Sequence, residues 1–225
     1  MRVLVFATHP DDESIGIAGT IYKHVQSGDQ VKVAFMTDGS GGSLDIEPKE
    51  LSRMREQEAR NACTLLGVAE VEFFGFKDGF LTYGYDTLVR TGQVVRSFKP
   101  DRVYSHHADG SIGQDNFDHI TTSNLVRQAV FKVQYRNYPQ FGKEVWKTPE
   151  FFEYEVLHPL HEPNAFVDIT NVVEVKKKAI GQHRSQMTAQ PYWEEIGLAL
   201  NRWRGLLTGL GEYVEAFKAV RTRLF

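Results

Sequence analysis

The chain has a single cysteine, Cys63, in 225 residues. An internal disulfide is therefore excluded, and so is a zinc site built from several thiolates. Long apolar runs are missing too, which leaves no stretch able to cross a bilayer as a helix. Neither sign of charge is in excess. The formal net charge of −3 gives no electrostatic reason to expect a nucleic-acid partner. Repeats and low-complexity segments are lacking, so residues 1–225 are expected to form one domain with a sizeable core. Met1 leads straight into a strand-like run, so no secretory signal peptide is expected, and a cytoplasmic location goes with that reading.

What is present starts at the N-terminus. Val3-Leu4-Val5-Phe6 is an unbroken apolar run, the pattern of a buried strand in a parallel sheet. Pro10 cannot continue a central strand, and Asp11, Asp12 and Glu13 cannot lie unpaired in a dry core. An imidazole (His9) and three carboxylates thus collect at the carboxyl end of the first strand, the edge where open α/β sheets bind ligands. Two readings of the five residues stand on chemistry alone. One is a solvated turn capping a helix. The other is a divalent metal site, because a cation relieves the repulsion among the acids and His, Asp and Glu are ordinary zinc or iron ligands.

The rest alternates between strand and helix patterns. Ser14 to Ser27 has helical spacing, with Ser14 as a candidate N-cap and Gly28 as a stop. Gln30 to Thr37 is the second strand, and Asp38 to Ser43 a glycine-rich loop suited to covering a site. Glu47 to Leu66 is a long helix on which Arg55 and Glu58 stand three residues apart, a spacing that by itself reads as a surface ion pair. Glu70 to Phe74, Thr82 to Phe98 and Arg102 to Ser105 continue as strand, helix and strand. His106 to His119 then holds three of the eight histidines and three aspartates, and His119 opens a helix reaching about Val133. The aromatic segment 135–149 (Tyr135, Tyr138, Phe141, Trp146) reads as a packing or homo-oligomer contact at least as readily as a sugar-stacking rim. Phe151 to Leu157 and Asn164 to Ile169 read as two strands joined through His158 and His161. A helix is expected from Val172 to about Gln186, with Lys176 to Lys178 as its solvated face, and another from Tyr192 to Leu207. The expected fold is α/β: a Rossmann-like three-layer αβα arrangement with a mostly parallel sheet and a C-terminal extension of strands and helices.

Thr8-His9-Pro10-Asp11-Asp12-Glu13 after a first strand, followed by Gly16-x-x-Gly19-Thr20, resembles the PIG-L/LmbE family of zinc-dependent N-deacetylases. Further family-like motifs follow in order: Arg55-x-x-Glu58, Gly75-x-x-Asp78-Gly79, Asp118-His119, His183-x-Ser185-Gln186, Arg204-Gly205 and the segment Glu212 to Phe217. The likeness spans nearly the whole chain. It implies removal of an N-acetyl group from an N-acetylglucosamine-type sugar or conjugate, with a small amino-sugar derivative as substrate and Zn2+ as cofactor. It also implies His9, Asp12 and His119 as metal ligands with a position left for water, Asp11 as general base, Arg55 as a substrate contact and Asp78 as a partner of sugar hydroxyls. His183 to Gln186 would pack around the pocket floor.

One motif departs from the family. Many members carry His-Pro-Asp-His where this chain has Asn116-Phe117-Asp118-His119, and the first histidine of that pattern is their proposed general acid. Gln114 likewise stands where some members have a tyrosine. Asn116 is an amide and supplies no such proton, so it is expected to face substrate instead. His106 or His107 is expected to take over as acid, oriented and charge-stabilised by Asp118. Two rival readings accompany this one: a metal-dependent phosphoesterase using the acidic cluster and the glycine-rich loop, and a sugar- or nucleotide-binding module with a degenerate centre, which Asn116 favours.

Overall fold

The computed structural model describes residues 1–108, 117–189 and 192–222. Alternating strands and helices open the chain: β1 (Arg2–Ala7), α1 (Asp12–Gln26), β2 (Gln30–Thr37), α2 (Pro48–Leu66), β3 (Glu70–Phe76), α3 (Tyr85–Phe98), β4 (Arg102–His106) and α4 (Phe117–Lys132). After them come β5 (Glu150–Tyr154), β6 (Ala165–Asp168), α5 (Val173–Ile180), α6 (Arg184–Ala189), α7 (Trp193–Thr208) and β7 (Val214–Arg221). Among the described residues one seven-stranded sheet runs in the order β3-β2-β1-β4-β5-β7-β6. The first five are mutually parallel, and β7 lies antiparallel between β5 and β6.

β1 shows why the sheet has two covered faces. Val3, Val5 and Ala7 join a core with Ile17 and Ile21 of α1, Ala59 and Cys63 of α2 and Ile180 of α5. Leu4 and Phe6, pointing the other way, join Val95 and Phe98 of α3 and Leu125 and Val126 of α4. A strand with apolar side chains at every position can satisfy both faces only between two helical layers. The expected three-layer α/β architecture is therefore the one observed.

Gly16 and Gly19 set how closely the layers approach. A Cβ on Gly16 would lie 2.6 Å from the carbonyl oxygen of Glu155, and one on Gly19 would lie 2.6 Å from Cγ2 of Ile169. The Gly-x-x-Gly spacing thus lets α1 press against the chain beyond β5 and β6. In its last turn α2 stops at Gly67, whose φ of 76° is left-handed.

Several expectations need correction. Ser14 is not the N-cap of α1. The carbonyl of His9 accepts from the amides of Asp11 and Asp12, which starts the helix earlier, and the Ser14 hydroxyl donates to Glu13. The helix expected over Val172 to Gln186 is broken at Gly181–His183 into α5 and α6. The two late strands form but end earlier than expected, at Tyr154 and Asp168, and β7, whose residues appear in the sequence only as a terminal motif, lies between them. The aromatic segment is largely packed: Phe141 is buried against Gly92, and Arg96 donates to four carbonyls, those of Val133, Tyr135, Tyr138 and Gly142.

The lysine run is not wholly solvated. Lys176 is fully buried and its Nζ lies 2.8 Å from Oε1 of Glu215, whose carboxylate also accepts from the amides of Gly19 and Thr20. Removing one member of such a pair strands a buried charge, at a cost of about 3–5 kcal/mol, whereas a solvated lysine is worth within about 0.5 kcal/mol. Lys176→Ala is thus expected to lower the urea midpoint by the larger amount, and Lys177→Ala to leave it nearly unchanged.

Candidate active site

The site forms where the strand order reverses, between β1 and β4. β1 and β4 are adjacent and parallel, yet the chain leaves them toward opposite sides of the sheet, which opens a crevice at their carboxyl ends. His9, Asp11 and Asp12 sit in the tight turn from β1 into α1. His106 ends β4, and His119 lies in the first turn of α4. All five are buried.

Three of their side-chain atoms converge. His9 Nδ1 and His119 Nε2 are 3.1 Å apart, and each is 3.5 Å from Oδ2 of Asp12. Zinc bonds of about 2.0–2.1 Å at tetrahedral angles require ligand atoms about 3.3 Å apart. Two imidazoles and a carboxylate at these spacings, all buried, fit a divalent ion with one face open to the cleft. The ring of His106 stacks on that of His119 (centroids 4.0 Å apart, 17° between planes) and its Nε2 is 3.2 Å from the same Asp12 oxygen. The ligand carboxylate is thus held from behind by a third imidazole.

Asp11 is next to the cluster but turned aside. Its Oδ2 is 3.1 Å from Nη2 of Arg55, which also donates to the carbonyls of Gly39 and Pro10. Arg55 is therefore buried over the site rather than paired with Glu58 on the surface. Glu58 instead accepts from the amide and hydroxyl of Ser185, fastening α2 to α6. Glu13 also leaves the metal cluster: it is buried beneath the turn, 3.0 Å from Nε2 of His183. Asp78 and Asp118 both approach the other nitrogen of His9, at 3.2 and 3.5 Å.

Neither histidine expected to supply a proton is among the described lining residues of the cleft. His106 lies behind the ligands, and Nε2 of His107 faces the carbonyl of His158 at 2.8 Å. The oxygens of Asp118 accept from the amides of Gly79 and Leu81. Asn116 and Gln114 lie outside the described residues. A cleft of about 240 Å³ is lined by His9, Asp11, Asp12, His119, Arg55 and Asp78 on its polar side. Gly41, Gly42, Gln186, Val156, Leu157 and Trp193 line it as well. Gln186 was signalled by the His-x-Ser-Gln segment; the three apolar residues carried no local signal.

Electrostatics follow the geometry. Burial drives the Asp12 carboxyl up, but His119 and His106 outweigh it and hold the group well below the usual carboxylate range. Burial raises the Asp11 carboxyl, and Arg55 draws it only part of the way back. Burial and the neighbouring His119 push His106 down to about 4, so it is neutral at neutral pH. His9 moves the opposite way: despite burial, Asp118, Asp12 and Asp78 raise it well above 6.5.

Residues 4–130, more than half of the chain, match the family described as PIG-L, GlcNAc-PI de-N-acetylase. The chain belongs to the PIG-L family. Diacetylchitobiose deacetylase of Thermococcus kodakarensis is 29% identical over 97% of this chain and 83% of its own length. Among solved structures, the N,N'-diacetylchitobiose deacetylase of Pyrococcus horikoshii in complex with an inhibitor superposes with a TM-score of 0.88 at 28% identity, covering 97% of this chain and 83% of that one. The 4-carboxy-2-hydroxymuconate hydratase of Pseudomonas putida KT2440 superposes with a TM-score of 0.83 at 25% identity, covering 100% of this chain and 98% of that one. PIG-L membership together with the ligand cluster makes this chain a metal-dependent amidohydrolase.

The raised His9 has a pH consequence in the metal-free protein. A folded value above the unfolded one stabilises fully below the unfolded value of 6.5 and ceases to as pH rises through the folded one. In chelator-treated protein, the stability gap between the parent and His9→Gln is therefore expected to be wider at pH 6 than at pH 9, as read from urea midpoints.

Proposed function

We propose that this chain removes an N-acetyl, or similar N-acyl, group from an N-acetylglucosamine-type sugar or sugar conjugate, with Asp11 as the general base. The observation that carries this reading is the pairing, in one cleft, of a buried two-histidine, one-aspartate cluster with a separate carboxylate that takes no part in it. His9, Asp12 and His119 would hold a zinc ion, which would supply Lewis-acid polarisation of the acyl oxygen and a bound water of pKa about 7.

The chain's own groups account for the remaining chemistry. Asp11 accepts the proton of the attacking water. Burial makes its carboxylate more basic, while Arg55 pins Oδ2 and leaves Oδ1 for the proton. The leaving amine must be protonated, because an amide anion is a very poor leaving group. Neither His106 nor His107 lines the cleft, and Asp11 does. We therefore assign the return of that same proton to Asp11, which then acts first as base and afterwards as acid. His106 acts through Asp12, by holding the ligand oxygen from behind.

The cleft walls support a sugar ring. The lining combines apolar side chains, Trp193, Val156 and Leu157, with polar ones, Arg55 and Gln186 among them, the mixture a sugar ring calls for. Residues 1–225 act as one domain in this reading, because the cleft draws on the turn after β1, the loops after β2 and β3, α2, α4 and the segment from Val156 to Trp193. The substrate is thus a small amino-sugar derivative.

Asp11→Asn is expected to keep one zinc per chain and to lose about 10²–10⁴-fold in kcat on the responsive members of a panel of N-acetylated mono- and disaccharides. Zinc content by elemental analysis and acetate release are the measurements. Full retention of rate would remove Asp11 as base. Turnover of an unsaturated carboxylic acid of the hydratase relative's kind, with no acetate from any panel member, would replace deacetylation with hydration.

A further inference from the structure

The two ring nitrogens of His9 face different groups. Nδ1 points to His119 Nε2 at 3.1 Å and to Asp12 Oδ2 at 3.5 Å. Nε2 points to a second pair of carboxylates, 3.2 Å from Oδ1 of Asp78 and 3.5 Å from Oδ2 of Asp118. A neutral imidazole carries one N–H and one lone pair, and an ionised carboxylate can only accept. A metal ligand must offer its lone pair, and the hydrogen bond at one nitrogen decides which nitrogen that is. With two acceptors at Nε2, the proton belongs there and the lone pair at Nδ1.

We propose that Asp78 and Asp118 are positioning residues of the metal centre, which together hold His9 in its Nε2–H tautomer with Nδ1 turned toward His119 and Asp12. The proposal rests on reading His9, Asp12 and His119 as the ligand set, and it gives Asp78 a role other than meeting sugar hydroxyls.

The two carboxylates are fixed from outside by further donors. Asp118 is 1% exposed; its Oδ2 accepts from the amide of Gly79 at 2.7 Å and its Oδ1 from that of Leu81 at 3.0 Å. Asp78 Oδ2 accepts from the amide of Gly41 at 2.9 Å, with Nη1 of Arg55 3.7 Å away. These partners all donate. An asparagine at position 118 would aim an NH2 group at a donating amide in a place too buried for water to substitute, and one at position 78 would have to turn its NH2 group either to the amide of Gly41 or to His9. The arrangement also ties three separate segments to one ring. Gly41 comes from the turn after β2, Asp78, Gly79 and Leu81 come from the loop after β3, and Asp118 directly precedes the ligand His119 on α4.

The same atoms offer a different use. Ligand atoms of His9, Asp78 and Asp118 lie within 4.8 Å of one another and would admit a second cation if Nε2 gave up its proton. The experiment separates the two uses and needs no substrate. The full chain, labelled with 15N-histidine, is loaded with one equivalent of zinc and observed in long-range 1H–15N spectra. Competition with a chromophoric chelator gives zinc affinity for the parent, Asp78→Asn and Asp118→Asn.

The expected result is a protonated Nε2 and a metal-bound Nδ1 on His9, with zinc affinity lowered about 10–100-fold in each variant and the His9 Nε2–H signal weakened or lost. A role in folding alone would shift the thermal midpoint of the metal-free variants while leaving affinity and the ring signature intact. Should Asp118→Asn fail to fold, Asp78→Asn carries the same two readouts. Zinc bound through Nε2, unchanged affinity in the variants, or a second zinc equivalent that the variants lose would each overturn the proposal. An Nδ1-bound, variant-sensitive zinc in a protein that deacetylates nothing would instead overturn the substrate reading and leave this one standing.

Discussion

One oxygen atom organises the centre of this protein. Oδ2 of Asp12 accepts the amide of His9 at 2.7 Å and lies 3.2 Å from Nε2 of His106 and 3.5 Å from the facing nitrogens of His9 and His119. A carboxylate taken out of water must be compensated nearby. Here a backbone dipole and three imidazoles supply that compensation, drawn from β1, β4 and α4. The fold has to bring the ends of those elements to one point before the charge can be buried at all. The site and the sheet topology are therefore a single constraint.

That constraint also divides the acids by role. Asp12 is surrounded by imidazoles and held ionised. Asp11, one residue away, is buried beside the Arg55 guanidinium, which offsets its burial only in part, and is left more basic. Glu13 points into the interior and pairs with His183. Three consecutive carboxylates thus acquire three environments, because Asp11 has non-helical backbone before the helix and Asp12 and Glu13, in its first turn, are about 100° apart around its axis.

Much of this was legible in the sequence where a local pattern had a local cause. The apolar run before His9 gave the first strand, Gly67 gave the end of α2, and β2 has the boundaries its composition implies. The ligand cluster was legible because two acid-and-histidine motifs each sit where a strand ends. What escaped depends on distant partners. Lys176 looks like its neighbours Lys177 and Lys178 and differs only because Glu215 reaches it from β7. Arg55 and Glu58 have the spacing of a surface pair, but α2 turns both toward the site side, and each finds a partner from another element. The placement of His106 behind Asp12 follows from the adjacency of β1 and β4, which no window of sequence contains.

Glu215 has one more consequence, for how far from the cleft a lesion could be felt. Its carboxylate meets the amides of Gly19 and Thr20 in the helix that carries Asp12, and its own strand, β7, lies between β5 and β6. A substitution on that strand would therefore reach the turn holding Asp12 through two backbone hydrogen bonds, without touching any residue that lines the cleft.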